Sequence, residues 1–350
     1  MGGNDGLNGL DEEATTAWLQ ANVGLAEPMG YELVAGGRSN LTFRVTDAAE
    51  RTVVLRRPPV GHVLPTAHDM SREHRIVTAL WPTPVPVPRT LGICTDTTVT
   101  GAAFYVMEFV SGHIIRDAER AEREIDEPAR RRASESIVDV LADLHAVDLE
   151  AVGLADLGRH EGYLSRQLAR WHGQFDKSQV DGSDRVAEVD TVFEQLSSDV
   201  PAQQGVAIVH GDYRLDNTML ADDGTVAAVL DWEICTLGDP LADLGLLMVY
   251  WAEPGDSVTA LGMAPTTVAG FASRAELCLR YAERTGRDIA GLDYYVAFGY
   301  WKLACILQGV LARWVDGVSG GDRSGGVDMF ASQVRVLAGA AAAVASKLPA

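Results

Sequence analysis

Hydrophobic periodicity changes near residue 110, and this change constrains the fold more than any other feature of the sequence. Before that point the chain has three β-like runs, YELVAGGRSN, LTFRVTD and RTVVLRR, separated by a Gly-Gly turn and by DAAE. A helix-forming run, SREHRIVTAL with Ser71 as its predicted cap, follows, and PTPVPVPRTLGI and AAFYVMEFVSG are again extended. The pattern predicts a small antiparallel sheet with one inserted helix, preceded by an amphipathic helix in DEEATTAWLQANV.

From Glu127 onward, helical periodicity dominates the sequence. Apolar residues recur at helical spacing in EPARRRASESIVDVLADLHAV, YLSRQLARWHGQF, VAEVDTVFEQLSS, DPLADLGLLMVYW, SRAELCLRYAERTG and LDYYVAFGYWKLACILQGVLARW. Short strands interrupt this pattern only around residues 206–210 and 225–230. We therefore predict a bilobal α+β protein, with an N-terminal lobe over residues 1–110, a mainly helical C-terminal lobe over residues 111–350, and an active site where the lobes meet.

The overall charge and the cysteine content narrow the classes of function. A formal net charge of −20 argues against unassisted binding to nucleic acid or to an anionic membrane surface. The four cysteines lie far apart without a CxxC pair, which is typical of reduced core residues rather than of a disulfide or zinc framework. The N-terminus has no basic region followed by an apolar run, and no stretch reaches the roughly 18 apolar residues of a membrane span. We therefore expect a soluble, cytoplasmic protein.

The segment VHGDYRLDNTML, residues 209–220, places charged and amide side chains in a loop between two apolar runs. A turn needs Gly, Asn or Asp for its backbone angles, but it does not need this mixture of charges. Phosphoryl transfer needs such a mixture, because a carboxylate must orient and deprotonate the acceptor hydroxyl while cations neutralise the phosphate oxygens. In this interpretation Asp212 is the carboxylate, Arg214 reaches the transferring phosphate, and Asn217 is a neutral oxygen ligand for Mg2+. A second strand, VAAVLDWE, ends at Asp231, a carboxylate suited to the same metal ion.

Taken one at a time, these residues have simpler explanations. His210 alone is more often a hydrogen-bonded histidine of a turn, Asn217 alone is a turn former, and Asp231 before Trp232 can merely cap a loop. A metal hydrolase using His210, Asp212 and Asp231 is a further alternative, although the sequence has no HxH or HExxH motif to support it. The joint pattern HxDxxxxN, followed by an apolar strand that ends in Asp, is far more specific than any of its parts.

The combined pattern VHGDYRLDNTML…VLDWEICTLGDPLADLG resembles the aminoglycoside phosphotransferase and choline kinase family, whose members are relatives of the protein kinases. The resemblance covers the chain beyond its first few residues. It implies a protein-kinase-like fold with ATP between the lobes, Asp212 as the catalytic base, and Asn217 and Asp231 as the metal ligands. Arg214 stands where protein kinases carry a lysine that touches the γ-phosphate, and His210 would hold the loop through hydrogen bonds.

The strand TVVLRR contains the candidate cation for the α- and β-phosphates. Alternate side chains of a strand share a face, so Val54 and Arg56 point one way, and Leu55 and Arg57 the other. The kinase pattern places a small apolar residue and a lysine in this relation, which implies Arg56 for this role and Glu73 of SREHRI as its ion-pair partner. Arginine in place of lysine departs from the family, because a guanidinium fork is not a point charge. A surface charge on an apolar strand is the alternative.

Two more segments of the N-terminal lobe correspond by position to nucleotide-binding elements. VAGGRSNLTFRV falls where kinases cover the phosphates with a glycine-rich loop, although it lacks GxGxxG and Gly-Gly is also an ordinary hairpin signal. The resemblance implies that Ser39 and the neighbouring backbone approach the nucleotide. VMEFV falls at the hinge, where backbone atoms of Glu108 and Val110 would bond the adenine edge and Met107 would line the pocket.

Two features of the C-terminal lobe are interpreted as structural. In GDPLADLG, Asp239 and Pro240 are predicted as the cap and the first residue of a helix, and Asp243 lies one turn later on the same face, where it would bind the catalytic loop. The Trp and Tyr residues of LDYYVAFGYWKLACILQGVLARW recur at helical spacing and are expected in the core, although helices of this region frame the acceptor pocket in the family.

Several acceptors remain open within the family, which contains kinases of antibiotics, choline, ethanolamine, sugars and homoserine-type alcohols. VLRRPPVGHVLPTAHDMSREHRIVTAL and HGDYRLDNTML are most similar to the branch that is found fused to acyl-CoA dehydrogenases and acts on hydroxyacyl-CoA thioesters. The leading hypothesis is an ATP- and Mg2+-dependent phosphotransferase with a small-molecule alcohol as acceptor and a functional link to an acyl-CoA dehydrogenase. An aminoglycoside-type antibiotic kinase and a nucleotide-binding regulatory pseudokinase are the alternatives.

Overall fold

The chain divides into two compact units in the computed structural model, which describes residues 9–35, 40–59, 69–259, 264–315 and 323–349. The first unit contains Met1–Ser111 together with Ala227–Glu233, and the second contains Gly112–Val226 and Ile234–Ala350. Residues 227–233, which the predicted lobe boundary leaves in the second lobe, therefore pack with the first unit. Periodicity along a chain carries no signal for such a return, because it reports only which face of a local segment is buried.

An antiparallel sheet forms the centre of the first unit. Its strands are β1 (Gly30–Ala35), β2 (Leu41–Thr46), β3 (Thr52–Arg57), β4 (Thr90–Cys94) and β5 (Phe104–Glu108). Their spatial order is β1-β2-β3-β5-β4, and each neighbouring pair is antiparallel. Three helices accompany the sheet, namely α1 (Glu12–Val23), α2 (Met70–Leu80) and the four-residue α3 (Thr97–Thr100). The predicted antiparallel sheet with one inserted main helix is confirmed.

Strand β3 contributes side chains to two apolar clusters. Val53 and Leu55 belong to the larger cluster, whereas Val54 packs with Tyr105 and Met107 in a smaller one. Because side chains alternate along a strand, Arg56 lies on the same face as Val54, as the sequence predicts. Most of β3 is buried, so Arg56 is not a surface charge on an exposed strand.

Helix α2 begins two residues earlier than its predicted cap requires. Asp69 is the N-cap, and its carboxylate accepts the backbone N–H of Arg72 at 3.0 Å. The predicted cap, Ser71, lies inside the first turn instead. Both Asp and Ser are good N-cap residues, and the extended backbone of Asp69 places its carboxylate over the free N–H groups of the first turn.

The second unit is mostly helical. Its helices are α4 (Ala118–Glu124), α5 (Glu127–His145), α6 (Tyr163–Lys177), α7 (Ala187–Ser198), α8 (Leu241–Tyr250), α9 (Arg274–Thr285), α10 (Leu292–Val315) and α11 (Arg323–Ala345). Its short strands are β6 (Ala207–Val209), β7 (Thr218–Leu220) and β9 (Thr236–Gly238), while β8 (Val226–Val229) crosses the division between the units. The predicted helical C-terminal part is confirmed. Of the Tyr and Trp residues of α10, Tyr294, Tyr295, Tyr300 and Trp301 are buried as predicted, whereas Trp314 is partly exposed.

Helices α8 and α10 approach each other closely at glycines. A Cβ atom added to Gly245 of α8 would lie 2.6 Å from the backbone carbon of Tyr295 in α10. A Cβ atom added to Gly299 of α10 would lie 3.0 Å from Val249 of α8. At position 245 only glycine fits without displacing the backbone of Tyr295. The contact fixes α8, and α8 carries Asp243 beneath the loop that follows β6.

Two helices in the described part of the chain are long and apolar enough to cross a membrane by length and composition alone. They are Leu292–Val315 and Gly326–Ala345, so the prediction that no stretch reaches this length is wrong. In the first, 78% of the apolar window is buried inside the protein, which is typical of a core helix, and in the second 22% is buried. Ala and Gly supply much of the apolar character of the second helix. One or two such helices are weak evidence for membrane insertion.

Candidate active site

The loop that carries the predicted catalytic residues lies in the second unit, between β6 and β7. Strand β6 is completely buried and pairs antiparallel with β9, which fixes where the loop begins. Gly211 has φ 85°, a conformation that side chains other than glycine disfavour, and it turns the chain sharply after His210. A single 3-10 turn, Leu215–Asn217, then returns the chain to β7. The loop is therefore held at both ends by paired strands.

Asp212 and Asn217 face each other across this loop. The side-chain amide of Asn217 donates one hydrogen bond to the Asp212 main-chain carbonyl oxygen and one to its carboxylate Oδ2, both at 2.8 Å. Asn217 is buried, whereas Asp212 is partly exposed. Because both amide N–H groups are used, Asn217 presents its carbonyl oxygen Oδ1 to any further ligand. The predicted base and the predicted metal ligand are thus brought together.

Arg214 connects the two aspartates of the loop. Its Nε lies 3.3 Å from Asp212 Oδ2 and 3.0 Å from Asp216 Oδ1, and its guanidinium lies 4.7 Å from the ring centroid of Tyr250. Burial is the main influence on Asp216 and raises the pKa of its carboxyl, against the attraction of Arg214. Asp216 had no role in the sequence interpretation, and the structure makes it the ion-pair partner that orients Arg214.

Asp243 of α8 holds the start of the loop through its backbone. Its Oδ2 accepts the N–H of His210 at 2.7 Å, and its Oδ1 accepts the N–H of Gly211 at 2.8 Å. The His210 ring is completely buried, and its Nδ1 accepts the backbone N–H of Asp212 at 3.3 Å. This is the contact predicted for Asp243. The neighbouring Asp239 accepts the N–H of Leu241 at 3.1 Å, but α8 begins at Leu241 with Pro240 as its N-cap, one residue later than predicted.

A buried histidine supports Asp243 from the opposite side. His145 Nε2 lies 3.4 Å from Asp243 Oδ2, and the Tyr281 hydroxyl lies 2.7 Å from His145 Nδ1. Burial lowers the pKa of His145, so the ring is neutral at neutral pH. Burial also acts to raise the pKa of Asp243, but the hydrogen bonds that its carboxylate accepts outweigh this and lower it. Asp243 is therefore a buried, ionised anchor for the loop.

In the first unit, Arg56 bridges two carboxylates. Its Nε lies 3.1 Å from Glu73 Oε1 of α2, and its Nη2 contacts Asp231 Oδ1. Burial raises the pKa of Glu73, with the charges of Asp231 and Glu233 adding to it, and together they outweigh the attraction of Arg56. Asp231 has φ 64°, which is unusual for a residue other than glycine and marks a constrained turn. The predicted ion pair of Arg56 and Glu73 is present, and Asp231 joins it.

The chemistry of the predicted metal ligands fits Mg2+. Asn217 offers a neutral carbonyl oxygen, and Asp231 offers a carboxylate. Mg2+ prefers hard oxygen ligands and uses few protein groups, since it retains water and substrate phosphates in its shell. Arg56 already contacts the Asp231 carboxylate, so a metal ion bound to that carboxylate would shift the Arg56 side chain.

A separate cluster, His172, Asp176 and Asp190, has potential metal-ligand atoms within 4.8 Å of one another. Arg185 supplies the positive charge there, because its Nη2 lies 2.6 Å from Asp176 Oδ1 and 2.5 Å from Asp190 Oδ1. The hydrogen bonds of Arg185 and then His172 to Asp190 lower the pKa of its carboxyl to about 2. The cluster is thus accounted for as an ion-pair network on the helical unit.

The predicted adenine-binding residues lie at and after the end of β5. Met107 is buried beside Val54, Glu108 is exposed, and Val110 follows in a segment without regular structure. The backbone N–H of Glu108 donates to the Arg89 carbonyl at 2.8 Å, so Glu108 would offer its carbonyl oxygen rather than its N–H to a base. Ser39 lies outside the described residues.

Sequence reasoning missed two residues that the structure places at the catalytic loop. Tyr250 lies under the Arg214 guanidinium, and Lys302 donates from Nζ to the Gly211 carbonyl oxygen at 2.7 Å. Lys302 had a detectable signal, because it is the only charged residue between Asp293 and Arg313 of α10. A charge in an apolar helix needs a partner.

Comparison with protein families matches residues 30–280 to the phosphotransferase enzyme family. Among curated proteins, acyl-CoA dehydrogenase family member 11 of Gallus gallus is 35% identical over 314 residues, which are 87% of this chain and 39% of that protein. Acyl-CoA dehydrogenase family member 10 of Mus musculus is 33% identical over 315 residues, which are 88% of this chain and 29% of that protein. The chain thus spans about a third of the length of these relatives.

Solved structures give the same assignment. A Ralstonia eutropha JMP134 protein described as an aminoglycoside phosphotransferase is 33% identical, with a TM-score of 0.80, and the match covers 97% of this chain and 99% of that one. A thermostable mutant of an aminoglycoside phosphotransferase, crystallised with AMP-PNP and hygromycin B, is 17% identical with a TM-score of 0.62 and shares the fold over 96% of this chain and 99% of its own. The protein-kinase-like fold and the predicted family are confirmed. The chain belongs to the phosphotransferase enzyme family.

Proposed function

We propose that this protein transfers the γ-phosphoryl group of ATP to the hydroxyl of a small molecule, in a Mg2+-dependent reaction. The observation that carries the proposal is the contact of Asp212 with Asn217 on a loop that Asp243 anchors. A carboxylate meant to accept a proton must be accessible and fixed in direction, and a partly exposed carboxylate held by an amide meets these two conditions. Family membership supports the reaction class.

Asp212 is the proposed base in this reaction. As the acceptor oxygen forms its bond to the γ-phosphorus, the bond between that phosphorus and the β–γ bridging oxygen breaks, and ADP leaves. The hydroxyl proton passes to the Asp212 carboxylate. Arg214 lies beside that carboxylate, and its guanidinium would stabilise negative charge on the transferring group. His210 would keep the backbone of Asp212 in place through its ring Nδ1.

Arg56, Asn217 and Asp231 are assigned to the nucleotide and its metal ion. Arg56, oriented by Glu73, would contact the α- and β-phosphates. Asn217 and Asp231 would hold Mg2+, which when bound neutralises charge on the phosphate oxygens. Met107, Glu108 and Val110 would contact the adenine, and Ser39 would approach the phosphates.

The acceptor that we propose is a hydroxyacyl-CoA thioester. Two observations favour it over a polycationic antibiotic. The curated relatives that are 33% and 35% identical are named for acyl-CoA dehydrogenases, whereas the 33% identical Ralstonia eutropha protein is described as an aminoglycoside phosphotransferase. A shallow pocket beside the loop is lined by two arginines, Arg116 and Arg214, with only Asp216 as a carboxylate, and otherwise by residues such as Leu247, Tyr250 and Trp251. An antibiotic with several ammonium groups would meet more positive than negative charge there.

The pseudokinase alternative rests on Arg56. Arginine replaces the usual lysine, and its contact with Asp231 occupies one of the proposed metal ligands. Active phosphotransfer remains the stronger proposal, because Asp212, Asn217 and Asp231 are all present and pseudokinases usually lose a metal ligand.

One assay separates these functions. ADP release with Mg-ATP would be measured against hydroxyacyl-CoA thioesters, aminoglycosides, choline and amino alcohols, and phosphate transfer to the acceptor would be verified by 31P NMR. We expect acceptor-dependent ADP release with a hydroxyacyl-CoA. Turnover with an aminoglycoside would instead support the antibiotic kinase. Nucleotide binding without transfer to any acceptor would support the regulatory module.

A further inference from the structure

Lys302 of α10 is buried within the helical unit. Among the described residues, its Nζ has one hydrogen-bond acceptor. Only 5% of the residue is exposed. Its Nζ donates to the main-chain carbonyl oxygen of Gly211 at 2.7 Å, and the ammonium lies 5.8 Å from the ring centroid of Trp171 in α6. The contact reaches from α10 to the residue that immediately precedes Asp212.

The two sides of Gly211 are held by opposite charges. Asp243 Oδ1 accepts the N–H of Gly211 at 2.8 Å, while Lys302 donates to its carbonyl oxygen. This carbonyl belongs to the peptide group whose nitrogen is that of Asp212, and that N–H donates to His210 Nδ1. The peptide plane between Gly211 and Asp212 is therefore fixed at both its oxygen and its nitrogen. Rotation of this plane would change the direction in which the Asp212 side chain leaves the backbone.

Burial of an ammonium group needs a reason, because desolvation disfavours the charged form. Burial lowers the pKa of Lys302, while the negative charges of Asp212 and Asp243 act in the opposite direction. An apolar residue of similar length, such as methionine, would fill the space in α10 without this penalty. What methionine lacks is a donor for the Gly211 carbonyl, which points to that contact as the purpose of the lysine.

We propose that Lys302 is a positioning residue for phosphoryl transfer: its ammonium fixes the Gly211 carbonyl and so sets the direction of the Asp212 carboxylate. This inference rests on the proposed function for its kinetic consequence. Lys302 touches neither the acceptor nor the nucleotide in this role. The loss of Lys302 should therefore lower kcat and leave KM for ATP nearly unchanged.

The matched control is Gln308, six residues later on the same helix. Gln308 is equally buried, and its Nε2 donates to the main-chain carbonyl of Ser178 at 2.9 Å, away from the loop. Lys302→Met and Gln308→Met each delete one buried donor to a backbone carbonyl of the same unit. Both variants would lower stability through the unpaired carbonyl, but only Lys302→Met would affect the loop.

Kinetic and exchange measurements on the full chain test the proposal together. We expect Lys302→Met to lower kcat about 10- to 100-fold with KM for ATP within about threefold, since small misplacements of a reacting group have effects of this size. Lys302→Arg, which keeps charge and donors, should recover at least about a third of kcat. Amide hydrogen exchange by mass spectrometry should show faster exchange in a peptide covering residues 207–217 for Lys302→Met and not for Gln308→Met.

The exchange measurement separates this proposal from the proposed function. If the unaltered protein transfers phosphate to no acceptor, the proposed function fails, and exchange of the loop still tests the contact. Unchanged loop exchange in a folded Lys302→Met variant would overturn the inference, as would a kcat equal to that of Gln308→Met. If Lys302→Met fails to fold, a folded Lys302→Arg variant that keeps less than about a third of kcat would also overturn it.

Discussion

Asn217 donates both N–H groups of its side-chain amide to Asp212, one to the main-chain carbonyl and one to the carboxylate, each at 2.8 Å. One residue therefore fixes the backbone and the side chain of the proposed base together. The same arrangement leaves the Asn217 carbonyl oxygen for a metal ion. This double contact explains why the spacing of five residues matters, since the single 3-10 turn between them brings the amide back to Asp212.

Replacing the Asn217 amide by a carboxylate should remove both contacts. In Asn217→Asp, two donors are lost and a second negative charge faces Asp212, so we expect phosphate transfer to fall at least about 100-fold. Steady-state kinetics with the best acceptor measures this. Asp222→Asn is the control, because Asp222 is almost fully exposed and contacts His113 away from the base. Equal activity of the Asn217→Asp variant and this control would contradict the assignment.

Arg56 should determine the affinity for ATP. A lysine has no guanidinium fork and would not bridge Glu73 and Asp231 at once, so Arg56→Lys should raise KM for ATP about 3- to 10-fold, and Arg56→Met by more. Initial rates at varied Mg-ATP give this value. Arg44→Met, which removes an exposed arginine of β2 that is paired with exposed Glu32 of β1, should leave KM unchanged. An unchanged KM in Arg56→Met would remove Arg56 from the nucleotide site.

Two glycine-to-alanine variants should have opposite effects on stability. Gly245→Ala would push a Cβ atom to 2.6 Å from the Tyr295 backbone, and overpacking of this kind destabilises by about 1–3 kcal/mol. Gly173→Ala, within α6 where an added Cβ meets nothing within 4 Å, should stabilise by about 0.5–1 kcal/mol through helix propensity. Chemical denaturation measures both. If Gly245→Ala were as stable as Gly173→Ala, α8 and α10 would not pack as described.

Buried His145 should make stability fall under mildly acidic conditions. Its folded-state pKa is lowered by burial from the ordinary value of 6.5, so below that pH the unfolded chain binds a proton that the folded chain does not. The contribution is neutral above the ordinary value and increasingly unfavourable below it, by up to about 1.4 kcal/mol per pH unit until the folded-state pKa is reached.

Melting temperatures between pH 8 and pH 5.5 test this effect of His145. His145→Gln should have a lower melting temperature at pH 8, because the contacts with Tyr281 and Asp243 are weakened, but a smaller decline towards pH 5.5 than the unaltered protein. His160→Gln is the control, because His160 is exposed and should leave the decline unchanged. Parallel curves for His145→Gln and the unaltered protein would show that His145 is protonated without penalty.

Local patterns predicted the fold and the main loop well, for physical reasons. The long apolar run of the 24-residue helix α10 and the apolar residues of β3 reflect the burial of these segments, which the sequence displays directly. The pairing of Arg56 with Glu73 followed from family resemblance and strand alternation. The sequence did not predict that Asp69 rather than Ser71 caps α2, because both are good capping residues and only the backbone geometry distinguishes them.

Apart from the predicted contact of Asp243 with the loop, long-range pairings were the part that the sequence could not supply. Asp231 contacts Arg56 across 175 residues of chain, and Lys302 reaches Gly211 across 91. No local period encodes such contacts, since both residues of each pair lie in segments whose own pattern is already satisfied. The position of Lys302 in an otherwise apolar helix was the one usable hint of a long-range contact, because a buried charged side chain needs a hydrogen-bond or ionic partner.

The most direct test of the central claim compares the unaltered protein with Asp212→Asn. ATP binding would be measured by calorimetry, and acceptor-dependent ADP release would be measured with the best substrate of the acceptor panel. We expect Asp212→Asn to bind ATP within about threefold of the unaltered protein and to lose at least about 100-fold in kcat, because the amide accepts no proton. Equal turnover by the two proteins would contradict the assignment of Asp212 as the base of a phosphotransferase.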